Sequence, residues 1–167
     1  MKALIFICLS LTATAALAGD PFALKGVEIG AKADEQQLKS ALGINCTGAF
    51  CSIGQTQLAG TWCETMASID ESGNLAQLTA FFPTLSFDPI ERAFVGKYGK
   101  PSSISRARAT TVGGVQLNNV IEIWRNPAGD KIEITKFADG VQGLVRIESK
   151  AQIAIDAAKS KKEAGDI

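Results

Sequence analysis

Three short segments near the end of the chain restrict its architecture more than any other feature. Asn119 to Arg125, Lys131 to Phe137 and Gly143 to Ser149 read as three extended segments close together, and the spacers between them are turn formers. Ile132 and Ile134 alternate with Lys131, Glu133 and Thr135; Val145 and Ile147 alternate with Arg146 and Glu148. Successive side chains of a strand point to opposite faces, so this pattern predicts strands with one wet and one dry face. Asn126-Pro127-Ala128-Gly129-Asp130 and Ala138-Asp139-Gly140 supply the reversals. The dry face of such a sheet needs a helix to cover it.

The first half contains the same ingredients. Thr61 to Ile69 and Leu75 to Phe82 read as a hairpin closed by Asp70-Glu71-Ser72-Gly73-Asn74. Ahead of it, DEQQLKSALG places Leu38, Ala41 and Leu42 on one helical face, with acids in the first turn and Gly43 as a left-handed stop. A second helix is predicted after Asp88-Pro89-Ile90-Glu91, with Asp88 as the cap and Pro89 at the first helical position. Its stripe is Ile90, Ala93, Phe94 and Tyr98, and Gly99 with Pro101 ends it. Lys150 to Glu163 is rich in Ala and Lys and reads as a third helix. Phe22 to Ile29 is a first strand or an extended lead-in, Ile44 to Gly60 a long loop with room for one short strand, and Ser102 to Gly114 a polar connector.

The order of elements occurs twice: a helix ending in Gly, a variable loop, then a Trp-bearing strand turned back on a second strand. In one copy LKSALG leads to Trp62 and the turn at Gly73; in the other VGKYGKP leads to Trp124 and the turn at Gly129. The expected fold is therefore α+β, with tandem helix-plus-β-hairpin units forming one antiparallel sheet packed against two or three helices. The pseudo-repeats fall at about 26–83 and 86–149, followed by a C-terminal helix at 150–163, within a single domain from Gly19 to Ile167.

The first eighteen residues read as an export signal. Lys2 gives the positive end, Ala3 to Leu11 the apolar middle, and Ala16-Leu17-Ala18 the small residues of a cleavage site. The apolar run is too short to span a bilayer, and no later run is long enough. The expected location is the periplasm or the outside of the cell, with cleavage after Ala18. Once Lys2 is removed from a chain of 17 basic and 17 acidic side chains, the product is close to neutral, so no global field draws it to nucleic acid or to an anionic membrane.

Three cysteines follow the expected cut: Cys46, Cys51 and Cys63. In an oxidising compartment one bridge is expected. Cys46 with Cys51 is the preferred pair because Gly48 lets the intervening loop turn, while Cys63 lies on a strand with Ala67 and Ile69. Cys51 with Cys63 is the alternative. Four residues separate Cys46 from Cys51 where the thioredoxin motif has two, so the bridge reads as a structural staple.

Histidine is absent, which excludes Ser-His-Asp and Cys-His mechanisms and removes the commonest neutral zinc ligand. No metal and no cofactor are expected, and no catalytic set stands out. The carboxylates Glu64, Asp70, Glu71, Glu122 and Glu133 lie on or beside strands, but their spacing selects no acid-base pair. Candidate binding residues are Trp62 and Trp124, as anchors or as core, and Lys97, Lys100, Arg106 and Arg108, which form a run without a balancing acid. That run reads either as a solvated loop or as a contact for an acidic surface or a phosphate.

The segment VEIGAKADEQQLKSALG, Val27 to Gly43, resembles the helical opening of the outer-membrane assembly lipoprotein (SmpA/OmlA) group, and the doubled arrangement is similar to that of β-lactamase inhibitor proteins. The resemblance spans roughly residues 26 to 148. It implies an α+β module that binds another protein or an envelope component, with no cofactor and no turnover. The chain departs from the lipoprotein pattern in having Gly19, not an acylatable Cys, after the expected cut. The competing expectation is a small hydrolase or thiol enzyme that uses the carboxylates or Cys63.

Overall fold

The computed structural model describes residues 21–48, 50–110 and 113–165, and the expected leader lies outside them. In chain order the elements are β1 (Ala23–Leu24), β2 (Val27–Glu28), α1 (Glu35–Leu42), β3 (Cys46–Thr47), β4 (Phe50–Cys51), β5 (Gly54–Leu58), β6 (Thr61–Ile69) and β7 (Leu75–Pro83). A 3₁₀ turn (Thr84–Ser86) leads into α2 (Phe87–Tyr98), followed by β8 (Ser103–Thr110), β9 (Gln116–Arg125), β10 (Lys131–Thr135), β11 (Gln142–Glu148) and α3 (Lys150–Gly165). Seven strands form one antiparallel sheet in the order β5-β6-β7-β11-β10-β9-β8. Over the described residues the protein is thus a mixed α+β fold with three helices and a large antiparallel sheet.

Local chemistry explains the ends of α1. The Asp34 carboxylate accepts the Gln37 N–H at 3.0 Å, satisfying a first-turn donor that has no partner within the helix. At the other end Gly43 adopts φ +69°, and the Gly43 and Ile44 N–H groups return to Lys39 and Leu38 carbonyls at 3.0 and 3.3 Å. A Cβ on Gly43 would also sit 2.8 Å from the Gln55 carbonyl oxygen, so this position needs glycine for its φ and for the approach to β5.

The β6–β7 hairpin forms at the predicted residues. The Asp70 carboxylate accepts the Asn74 N–H at 2.8 Å across the turn. The stretch expected to be mostly loop contains β3, β4 and β5, with β5 joined to β6 through Ala59 and Gly60, both at positive φ, as a two-residue reversal requires.

Two further expectations change. The polar connector from Ser102 contains strand β8, which pairs with β9 from Ser103↔Ile123 to Thr110↔Gln116. An edge strand exposed on both faces has no apolar alternation to announce it, and charged side chains there discourage pairing with other chains. Second, α2 starts at Phe87 and no side chain caps it; Asp88 lies in the first turn. Burial of Phe87 draws the helix start back, and Pro89 is tolerated because first-turn N–H groups need no helical partner. The last helix, α3, is mostly exposed and contributes no residue to the core cluster, which draws on α1 and α2.

The register divides the sheet into two faces. One row crosses all seven strands as Gly54, Thr65, Ala80, Val145, Ile134, Glu122 and Ile104. On this first face Leu78, Ala80, Val145, Ile147, Ile132, Ile134 and Trp124 share one buried cluster with Leu38 and Leu42 of α1 and with Phe87, Ile90 and Phe94 of α2. The second face displays the intervening residues, among them Glu64, Phe81, Leu144, Thr135 and Ile121 in one row and Met66, Thr79, Arg146, Glu133 and Ile123 in the next. None of these belongs to the core cluster.

Candidate functional site

Alternation along β6 turns Cys63 and Thr65 into the core and projects Trp62, Glu64 and Met66 from the second face. Trp62 is 65% exposed, far more than a tryptophan with a packed indole would be. It borders a cleft of about 480 Å³ that Phe81 of β7, Leu85 of the 3₁₀ turn and Val141 of the β10–β11 loop complete. Leu85 is 95% and Val141 69% exposed, so three large apolar side chains from separate elements meet solvent around one hollow. The loop bearing Val141 is held by Asp139, whose carboxylate accepts the Val141 and Gln142 N–H groups at 2.9 and 2.8 Å. Those bonds favour the ionised form and keep the Asp139 pKa below its ordinary value.

Beside this apolar end lies a charged middle. Lys131 Nζ is 2.6 Å from Glu148 Oε2 and 3.3 Å from Glu133 Oε2. Arg146 stands opposite Glu133 in register, and its Nε is buried without a hydrogen-bond partner among the described residues. Arg146 also lines a hollow of about 280 Å³ with Met66 and Phe81. The second face therefore offers an apolar cleft and a polar group that is short of partners, side by side.

The other sequence candidates separate. Trp124 is 2% exposed; its indole N–H donates to the Gly99 carbonyl at 2.9 Å, and its ring centroid lies 6.3 Å from that of Phe94. Lys97 and Lys100 line a cleft at the end of α2. Arg106 and Arg108 stand on β8, opposite Val120 and Asn118, outside that cleft. Leu85, Val141 and Arg125 went unnoticed in the sequence because each acquires its setting from a distant segment.

Cys46 and Cys51 form a disulfide across the β3–β4 pair, with Cα atoms 4.0 Å apart, and among the described residues Cys63 is a free, buried thiol. Burial pushes the Cys63 pKa up, which leaves little thiolate at neutral pH. Of the carboxylates, Glu122 is buried with Oε2 unpartnered among the described residues; burial and the charge of Glu91 push its pKa up, and Arg106 opposes them. Asp70 is held below its ordinary value, chiefly by the Asn74 N–H. Among the described residues no three Cys, Asp or Glu side chains gather as metal ligands would, and no helix is long and apolar enough to cross a membrane. No protein-family model matches the chain, and no curated protein and no solved structure is significantly similar to it.

Proposed function

We propose that the protein acts outside the reducing cytosol, in the periplasm or beyond the cell, by non-covalent binding of another protein or envelope component through the second face of its sheet. The observation that carries this reading is the exposed ring of Trp62 beside Leu85 and Val141 around a cleft of about 480 Å³. Contiguous exposed apolar side chains with polar neighbours mark interaction surfaces, and tryptophan is the residue that most often anchors them. The Cys46–Cys51 bridge accords with an oxidising compartment.

The tandem arrangement belongs to this reading. About the β7–β11 boundary the sheet order is symmetric, with β5-β6-β7 after α1 answering β9-β10-β11 after α2, and β8 as an added edge. On that correspondence β6 answers β10, so Trp62 and Trp124 occupy unlike positions, which accords with their opposite exposure. A pair of units sharing one sheet supplies one broad face for a partner, as the resemblance to inhibitor and assembly modules implies. The burial of Cys63 weighs against thiol chemistry.

The test is affinity capture from envelope extract with the wild-type protein and with Trp62→Ala in parallel. A partner retained by the wild type and lost by the variant supports the reading. No partner, or one retained equally by both, together with turnover of a substrate in a hydrolase panel, sinks it.

A further inference from the structure

We propose that the cleft between the end of α2 and the β9–β10 turn binds a phosphate monoester carried on a ring. The cleft encloses about 260 Å³ and shares no lining residue with the cleft at Trp62. Lys97 comes from the last turn of α2, Lys100 from two residues past its end, and Arg125 from the last position of β9, 25 residues beyond Lys100. No acidic side chain lines the cleft, and none of the three cations forms an ion pair among the described residues. The whole chain balances 17 basic against 17 acidic side chains, so this accumulation is local. Lys97 and Lys100 suit the negative end of α2, but Arg125 has no such tie and converges from a strand.

The geometry is prepared for an anion. Lys97 Nζ is held 3.4 Å from the Ala23 carbonyl oxygen and 4.9 Å over the Tyr98 ring. Ser102 Oγ accepts the Arg125 N–H at 3.2 Å, which leaves its hydroxyl proton free to donate. Trp124 occupies the Gly99 carbonyl at the helix end and so removes an acceptor that would repel an anion. Phe22 meets Tyr98 edge to face at 5.1 Å, and the Tyr98 hydroxyl bonds both Ala23 backbone groups, fixing an aromatic wall. Three cations suit the roughly −2 charge of a phosphate monoester at neutral pH better than the single charge of a carboxylate. Arg offers a planar fork to phosphate and Lys a point charge. The volume admits one phosphate with one ring, and Tyr98, half-buried where Phe22 behind it is buried, is the part of the wall that a ring meets.

Calorimetric titration of the purified protein with phenyl phosphate, inorganic phosphate and benzoate tests this. Phenyl phosphate should bind saturably at millimolar concentration and more tightly than the other two. Lys100→Gln/Arg125→Gln should weaken it about tenfold or more, whereas Arg106→Gln/Arg108→Gln, which removes equal charge elsewhere, should change it less than about twofold. Absence of saturable binding, equal weakening by the two double variants, or binding no tighter than that of benzoate or inorganic phosphate would overturn the assignment. Circular dichroism of both variants establishes that a loss does not come from unfolding.

Discussion

Asp130, in the turn between β9 and β10, caps a helix that begins twenty residues later: its Oδ1 accepts the Lys150 N–H at 2.9 Å. Its Oδ2 takes a hydrogen bond from Asn126 Nδ2 at 2.9 Å, and Asn126 Oδ1 accepts the Asp130 N–H at 2.9 Å. Both residues are buried. Ser149 adds a second cap, with Oγ accepting the Gln152 N–H at 3.2 Å. Since α3 buries little of its own surface, its attachment depends on this end. Asp130→Ala strands the Asn126 amide and the Lys150 N–H, and should lower global stability by about 2 kcal/mol in urea unfolding. Amide exchange over α3 should accelerate more than exchange in β10.

Gly54 lies where β5 passes beneath the end of α1. A Cβ there would meet the Leu42 carbonyl oxygen at 2.4 Å and the Gly43 carbonyl carbon at 2.6 Å, and backbone atoms cannot rotate away as a side chain can. Thr65, beside Gly54 in the register, donates its hydroxyl to the same Leu42 carbonyl at 2.7 Å, so α1 is clamped against both strands. Gly54→Ala should therefore destabilise by at least about 3 kcal/mol, an unusually large effect for adding one methyl group. Thermal unfolding compared with Gly96→Ala in α2, where the backbone is helical and a new Cβ would meet nothing within 4 Å, separates the collision from a general glycine effect.

Closing the short loop between Cys46 and Cys51 restricts the unfolded chain. For a loop of this length the entropic stabilisation is about 2 kcal/mol. Cys46→Ala/Cys51→Ala should lose about that amount in denaturant unfolding, and dithiothreitol should destabilise the wild type while leaving the double variant unchanged. Equal sensitivity of the two proteins to reductant would show that the staple contributes nothing.

Glu122 gives the folded state a proton-binding preference. Its pKa in the fold lies above the ordinary 4.5, first because burial disfavours the charged form and then because Glu91 repels it. Below the ordinary value both folded and unfolded chains hold the proton, so the site has no effect. As pH rises from about 4.5 through the raised value, the unfolded chain releases its proton first and folding stability falls. Glu122→Gln should remove that decline, and Arg106→Gln should deepen it by withdrawing the one compensating charge. Urea midpoints taken from pH 4.5 to neutrality, read as variant minus wild type, measure both effects.

Much of the fold was legible because local signals agreed with burial. Asp34 and Gly43 mark the ends of α1, and Cys63, Ala67 and Ile69 mark the inward side of β6. Where an element has no dry face, as in β8, periodicity has nothing to report, and the strand is visible only through its pairing with β9. Asp88 misplaced the start of α2 because a buried Phe87 outweighs a capping preference of about 1 kcal/mol. The candidate site was least legible. Leu85 and Val141 are isolated apolar residues in polar stretches, and only the return of β11 beside β7 brings them to Trp62.

The two tryptophans show the same limit and provide the sharpest contrast. On β9, Trp124 shares the inward face with Glu122, and that carboxylate hides the dry side from any reading of alternation. On β6, Trp62 sits at the parity of Glu64 and Met66 and faces outward. Replacing Trp124 removes a buried indole packed on Phe94 and frees the Gly99 carbonyl, so Trp124→Ala should cost about 3 to 5 kcal/mol. Trp62→Ala removes a ring mostly in water and should cost less than about 1 kcal/mol. Chemical denaturation of both variants measures the difference, and fluorescence of each single-tryptophan protein adds an independent reading: the Trp62→Ala protein should emit at a shorter wavelength than the Trp124→Ala protein when folded. Comparable stability losses would mean that Trp62 is a packing residue and would remove the anchor from the second face.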